Sequence, residues 1–159
     1  MMRVLVSLLA VLLLAAPGPA PALLFRDVTT QAGIAFRHHA APEKKYIVES
    51  MSGGVALFDY DNDGLPDIYF VDSLTVDTAS HPEAARSALY HNLGGGKFED
   101  VTDAMGVGST RWTLAAASAD FDGDGWPDIY LANDYGPEEL YLNDHGKRFT
   151  LTTAGLSSE

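Results

Sequence analysis

Short apolar runs bounded by Gly, Pro, Asn and Asp recur along the chain, and their lengths favour strands. Residues 53–58 and Thr113–Ala119 lead into aspartate-rich stretches, and Asp67–Val71 and residues 128–132 follow them. The alanines at 115–117 are compatible with a helix, but a short run closed by an Asp/Gly turn is too short for one. We therefore predict strands for all four runs.

The sequence repeats itself along the chain. DYDNDGLPD at 59–67 recurs as DFDGDGWPD at 120–128. LYHNLGGGKF at 89–98 matches LYLNDHGKRF at 140–149, and FRDVTTQAGI at 25–34 matches FEDVTDAMGV at 98–107, with a weaker copy, FTLTTAGL, at 149–156. The unit thus covers about 50 to 60 residues, a period that is typical of propellers and arrays.

Each unit contains four predicted strands. They are the run before the aspartates, the run after them, the L-Y-x-N segment and the F-x-D-V-T segment, with glycine-containing turns between the last two. Four short strands in a unit of this length are typical of a β-propeller blade, and small residues suit its innermost strand. We predict an all-β fold with antiparallel blades at about 52–103 and 113–154.

The segment at 25–30 resembles a fourth strand that precedes any blade of its own. In closed propellers such a strand completes the last blade, so we predict an N-terminal closing strand here. Repeat proteins generally need at least ~3 units to bury enough apolar surface. We therefore expect the chain to be the N-terminal piece of a larger propeller, with self-association of two-blade chains into a ring as the open alternative.

The N-terminus has the pattern of a secretory signal peptide. Arg3 gives a charged start, residues 4–16 are apolar, and residues 20–22 (APA) resemble a cleavage site. An uncleaved anchor is less favoured, because this run falls short of the ~20 residues that cross a bilayer. We predict that residues 1–22 are removed, and that the domain at 23–159 is secreted, extracellular or periplasmic, and has no membrane span.

Charge and composition limit the kinds of partner that the chain is expected to bind. The chain has 22 Asp and Glu against 10 Lys and Arg, which disfavours nucleic acid and anionic membrane surfaces and favours cations. It has no cysteine, which excludes disulfides, thiolate metal sites and a cysteine nucleophile.

The two aspartate blocks have the spacing of cation-binding loops. Carboxylates at positions one, three, five and nine and a backbone carbonyl at position seven offer only oxygen, which suits Ca²⁺ better than Mg²⁺. Glycine at position six permits a sharp turn, and proline at position eight precedes the next strand. We predict two Ca²⁺ sites, with Asp59, Asp61, Asp63, Leu65 and Asp67 as ligands in the first block and Asp120, Asp122, Asp124, Trp126 and Asp128 in the second.

Two other interpretations of these blocks are less favoured. An EF-hand needs a glutamate at position twelve, where this chain has Phe70 and Leu131 in predicted strands. A metal-free Asp/Gly turn is the second alternative. Two copies with identical ligand spacing disfavour it.

The motif D-x-D-x-D-G-x-x-D between two short strands resembles the calcium loop of FG-GAP and VCBS repeats, as in integrin α-subunit propellers. The motifs F-x-D-V-T-x-x-x-G, G-G-V-A-x-F-D-Y-D-N-D-G and L-Y-x-N-x-x-G-x-x-F resemble more closely the secreted VCBS-repeat relatives of cartilage acidic protein, which often carry an ASPIC/UnbV segment. The resemblance covers about 25–156. It implies a calcium-binding propeller of the seven-bladed type, used outside the cell for adhesion or ligand binding.

The sequence offers little support for catalysis. His38 and His39 are expected in a solvated loop, and His91 and His145 are expected to be structural. The motifs G-x-S-x-G and H-E-x-x-H and a glycine-rich phosphate loop do not occur. We predict a non-enzymatic module that binds an extracellular protein or carbohydrate. The alternative is the propeller part of a polysaccharide-degrading enzyme whose catalytic residues lie in further blades.

Overall fold

Two four-stranded antiparallel sheets follow each other along the chain in a computed structural model, which describes residues 24–49 and 53–152. The strands of the first sheet are β1 (Gly54–Phe58), β2 (Asp67–Val71), β3 (Ala88–Gly94) and β4 (Lys97–Asp100). Those of the second are β5 (Thr113–Ala119), β6 (Asp128–Asn133), β7 (Glu139–Asn143) and β8 (Phe149–Thr152). In each sheet the strands lie in chain order. The predicted all-β fold with four strands per unit is confirmed.

The first strands of the two sheets, β1 and β5, pack against each other. A Cβ atom on Gly54 would lie 3.6 Å from the Cα atom of Ala115 and 3.6 Å from the carbonyl oxygen of Leu114. Small residues are therefore suited to the place where the sheets converge. This arrangement agrees with the position of an inner strand in a propeller blade.

The hydrophobic core lies between the two sheets. The first sheet contributes Tyr69, Val71 and Leu89, and the second contributes Ile129, Leu131, Tyr141 and Phe149. The connection between the sheets adds Val107, whose carbonyl oxygen accepts a hydrogen bond from the Tyr69 hydroxyl at 2.7 Å. The core therefore packs the two sheets against each other and buries one face of each.

The predicted closing strand at 25–30 is not formed within the described part of the chain. Residues 24–28 lie in no strand, and Thr29–Ala32 forms a one-turn helix, α1. The Oδ1 atom of Asp27 accepts a hydrogen bond from the backbone amide of Thr29 at 2.9 Å. Such an aspartate turn ends an extended segment, so the helix begins at Thr29, where the strand was expected to continue. Among the described residues, 24–28 have no neighbouring strand to pair with.

The matching segment of the first unit explains the motif. There β4 ends at Asp100, and a second one-turn helix, α2 (Thr102–Met105), follows directly. The Oδ1 atom of Asp100 accepts the Thr102 amide at 3.0 Å, as in α1. Gly33 and Gly106 end the two helices with left-handed φ angles of 84° and 72°. The motif F-x-D-V-T-x-x-x-G therefore encodes a strand end and a helical turn.

The predicted signal peptide at 1–22 lies outside the described residues, as does the end of the weak third copy at 153–156. Within the described ranges, no helix is long and apolar enough to span a membrane.

Truncating Leu131 tests the core between the sheets. The side chain is fully buried, so we expect Leu131→Ala to lower the free energy of unfolding by about 2–5 kcal/mol. Leu151 on β8 is 44% exposed and is the matched control, and Leu151→Ala should change this free energy by less than ~0.5 kcal/mol. Urea denaturation measures both variants. Equal losses would contradict the proposed position of the core.

Candidate metal-binding loops

Each aspartate block forms the connection between the first and second strands of its sheet. We call residues 59–67, between β1 and β2, loop 1, and residues 120–128, between β5 and β6, loop 2. Gly64 and Gly125 at position six have φ angles of 88° and 91°, which confirms the predicted sharp turn. Position four is also left-handed, with φ angles of 57° at Asn62 and 82° at Gly123, a feature the sequence analysis missed.

The first aspartate of each loop accepts hydrogen bonds from backbone amides of the same loop. The Oδ1 and Oδ2 atoms of Asp59 accept hydrogen bonds from the backbone amides of Asp63 and Gly64, at 3.0 and 2.8 Å. In loop 2, Asp120 accepts the amides of Asp124 and Gly125 at 3.1 and 2.9 Å. The same carboxylate therefore turns the backbone around the acidic side chains in both loops.

The ninth aspartate of each loop is fully buried and connects the loop to its sheet. The Oδ2 atom of Asp67 accepts the Tyr60 amide at 3.0 Å, and its Oδ1 atom accepts the Asn92 amide at 2.8 Å. The corresponding contacts of Asp128 reach the amides of Phe121 and Asn143, both at 2.8 Å. One carboxylate thus joins the loop, the second strand and the third strand.

Carboxylate oxygens converge in both loops. One oxygen from each of Asp59, Asp61 and Asp67 lies within 4.8 Å of the others, and the same holds for Asp120, Asp122 and Asp128. These oxygen donors fit a hard divalent cation such as Ca²⁺.

The aspartates at the fifth position differ between the two loops in the groups that they join. Asp63 joins a second group in loop 1 with Asp61 and His91, again within 4.8 Å. The Oδ1 atoms of Asp63 and Asp124 accept the amides of Leu65 and Trp126, at 2.7 and 2.9 Å. The role of the position-seven carbonyls as ligands stays a prediction.

Burial raises the pKa of Asp67 and of Asp128 above the usual value, although backbone amides partly oppose this effect. Burial also raises the pKa of Asp61, and the neighbouring Asp63 carboxylate adds to it. Each shift means that the fold disfavours the ionised carboxylate in the absence of a cation. A bound cation would favour the ionised form and reverse this effect.

Asn143 connects the two loops. Its side-chain Nδ2 atom donates hydrogen bonds to the carbonyl oxygens of Pro127 in loop 2, at 3.0 Å, and of Tyr60 in loop 1, at 2.8 Å. The equivalent Asn92 donates to Pro66 within its own unit, at 2.8 Å. The turn after β7 is also close to loop 1, because a Cβ atom on Gly146 would lie 3.0 Å from the Asp61 Cα atom.

A second polar cluster lies at the end of β2. The side chain of Asp72 is 1% exposed, and its two oxygens lie 3.0 Å from His38 Nδ1 and 2.7 Å from His39 Nδ1. The two histidines lie in a loop with side chains 34% and 40% exposed, as expected, but their contact with the buried Asp72 was not predicted. His39 and Asp72 also line an open cavity of about 610 Å³. No local sequence pattern could have found this cluster, since His39 and Asp72 are 33 residues apart.

A comparison with family models gives two matches, to the FG-GAP-like repeat, at residues 59–131 and 120–159. Together they span 59–159, more than half of the chain. The chain belongs to the FG-GAP-like repeat family. Each FG-GAP-like match begins at the first aspartate of a loop, so the loops are part of the repeat itself. No curated protein matches the chain.

Replacing Asn143 tests the connection between the loops. Asn143→Ala leaves the buried carbonyl of Tyr60 without this donor, so we expect the free energy of unfolding to fall by about 1–3 kcal/mol. Asn92→Ala is the matched control and should cost less, because the hydrogen bonds of Asn92 to described residues all lie within its own unit. Urea denaturation in metal-free buffer compares the two. Equal losses would show that the bridge between the loops adds nothing.

The pH dependence of stability tests the buried carboxylates in metal-free buffer. The pKa of Asp128 is raised in the fold from its ordinary value of 3.8, so the folded state binds this proton more tightly. Its contribution to stability is present below that value and is lost as the pH rises through the folded pKa. Stability relative to Asp128→Asn should therefore decrease as the pH rises above 3.8. A pH-independent difference between the two proteins in urea denaturation would contradict the raised pKa.

Proposed function

We propose that this FG-GAP-like chain is a secreted calcium-binding β-propeller module that acts in extracellular binding or adhesion, and that calcium has a structural role in it. The observation that carries the proposal is the convergence of three carboxylate oxygens within 4.8 Å in each of two loops with the same spacing. Like charges at such distances repel one another, so a bound cation stabilises the arrangement.

The backbone of each loop supports a structural role. The aspartates at positions one and nine use their oxygens to close the loop and to join it to the sheet. A cation held by these carboxylates therefore acts directly on the connection between the first two strands. Calcium supplies the stabilising link that disulfides cannot provide in a chain without cysteine.

Binding or adhesion is favoured over catalysis because the convergent groups in the loops are carboxylates arranged for a hard cation. The signal pattern at 1–22 supports export, and the motifs shared with relatives of cartilage acidic protein support a role outside the cell. We propose an extracellular protein or carbohydrate as the ligand.

A neighbouring blade is a further proposed partner. Val55 and Leu57 on β1 are 57% and 67% exposed, and Phe25 is 94% exposed. Apolar side chains at this exposure favour contact with another surface. Further blades of the same propeller, or a second copy of the chain, would cover them.

Calcium titration tests the proposal. Calorimetry with the metal-free chain should give two equivalents of bound Ca²⁺, and a calcium concentration ~100 times the Kd should add about 2.7 kcal/mol to stability per site. Asp61→Ala and Asp122→Ala should each lose one equivalent, because each removes a carboxylate from one cluster.

Asp134→Ala is the control, since Asp134 is exposed and lies outside both loops. It should retain two equivalents. Thermal unfolding with and without calcium separates the proposal from a metal-free turn. If Asp61→Ala and Asp122→Ala destabilised the protein equally in both conditions and calcium did not bind, the loops would be turns only.

A further inference from the structure

The L-Y-x-N segments of the two third strands differ at one position, which in the first unit lies beside the carboxylates of loop 1. The third strands align so that His91 in the first unit stands where the second unit has Leu142, directly before the equivalent asparagines Asn92 and Asn143. The aspartates at positions one, three, five and nine are otherwise the same in both loops. The histidine is therefore a difference in chemistry at an otherwise repeated site.

The His91 ring faces the carboxylates of loop 1. Its Nδ1 atom lies 3.2 Å from Asp67 Oδ1 and 3.6 Å from Asp61 Oδ2. The side chain is 20% exposed, and its ring meets that of Tyr60 edge-to-face at a centroid distance of 5.6 Å. A hydrogen bond between Nδ1 and Asp67 Oδ1 and the packing against Tyr60 together restrict the orientation of the imidazole, so a nitrogen atom is held among the carboxylate oxygens.

The geometry also places His91 within a group of three potential ligand atoms. One atom each from Asp61, Asp63 and His91 lies within 4.8 Å of the others. Two of these residues also belong to the predicted calcium ligands of loop 1. In loop 2 the corresponding apolar side chain, Leu142, has no atom that can bind a metal.

Nitrogen and oxygen ligands select different cations. Imidazole suits Zn²⁺, Co²⁺ and related transition metals, whereas Ca²⁺ takes oxygen ligands. We propose that His91 is a metal ligand through which loop 1, besides Ca²⁺, also takes a divalent transition-metal cation with mixed nitrogen and oxygen ligands, while loop 2 remains an oxygen-only site. This inference rests on the proposed function, since it assumes that both loops bind cations.

Reciprocal substitutions test the proposal, because the third strand of each unit has the residue that the other lacks. His91→Leu gives the first unit the side chain of the second unit, and Leu142→His gives the second unit the side chain of the first. Co²⁺ binding to the metal-free whole chain is followed by visible absorption, and Zn²⁺ is then added as a competitor. We expect His91→Leu to weaken the tightest Co²⁺ site by ~10-fold or more, and Leu142→His to create a second such site.

Calcium titration of the same variants distinguishes this inference from the proposed function. Two equivalents of Ca²⁺ in the unchanged chain and in His91→Leu, together with the loss of the Co²⁺ site, support both. Two equivalents of Ca²⁺ with Co²⁺ affinity unchanged in both variants would leave the calcium function intact and overturn the role of His91 as a ligand. Loss of the Co²⁺ site in a chain that binds no Ca²⁺ would support His91 and overturn the calcium function.

The other histidines provide the control for unspecific Co²⁺ binding. His38 and His39 contact Asp72, away from the loop carboxylates, so any Co²⁺ bound there persists in His91→Leu. Histidine side-chain ¹⁵N NMR with Zn²⁺ assigns the ligand directly. A Zn²⁺-dependent shift at His91 supports the proposal, and shifts confined to other histidines overturn it.

Discussion

The structure of both units depends on a buried carboxylate at the ninth position of each loop. Asp67 and Asp128 each accept one amide from the second loop residue and one from the third strand. Burying a charged group without partners is costly, and these amides offset part of that cost. One carboxylate therefore connects the loop, the second strand and the third strand. A change in the shape of the loop would disturb the pairing of these two strands.

The same region joins the two units to each other. Asn143 donates from one side-chain nitrogen to Tyr60 in loop 1 and Pro127 in loop 2, and the core between the sheets lies close to this junction through Tyr60 and Phe149. The loops of the FG-GAP-like repeat are therefore part of the contact between blades. A cation in either loop would act on a junction that both units share.

Repetition of the fold leaves room for different chemistry in each copy. The loops share their backbone hydrogen bonds, yet His91 faces the carboxylates in the first unit and Leu142 stands in its place in the second. The Asp72 cluster with His38 and His39 is a further example, since β6 ends in Asn133 at the corresponding place. The two units share their backbone geometry, and single side-chain differences determine the chemistry at equivalent positions.

The sequence by itself determined the strands of the two sheets, the two loops and the convergence of the aspartates at positions one, three and nine, because strand patterns and Asp/Gly turns are properties of short segments. The same local view failed at 29–30, where the hydrogen bond from Thr29 to Asp27 accompanies a helical turn in place of the end of an extended strand. Only the tertiary structure decided that Asn143 bridges both loops while Asn92 does not, because Asn143 and Tyr60 are 83 residues apart and meet only when the sheets pack. Contacts of this kind depend on the relative position of the two units. Neither local propensity nor the spacing of residues along the chain predicts that position.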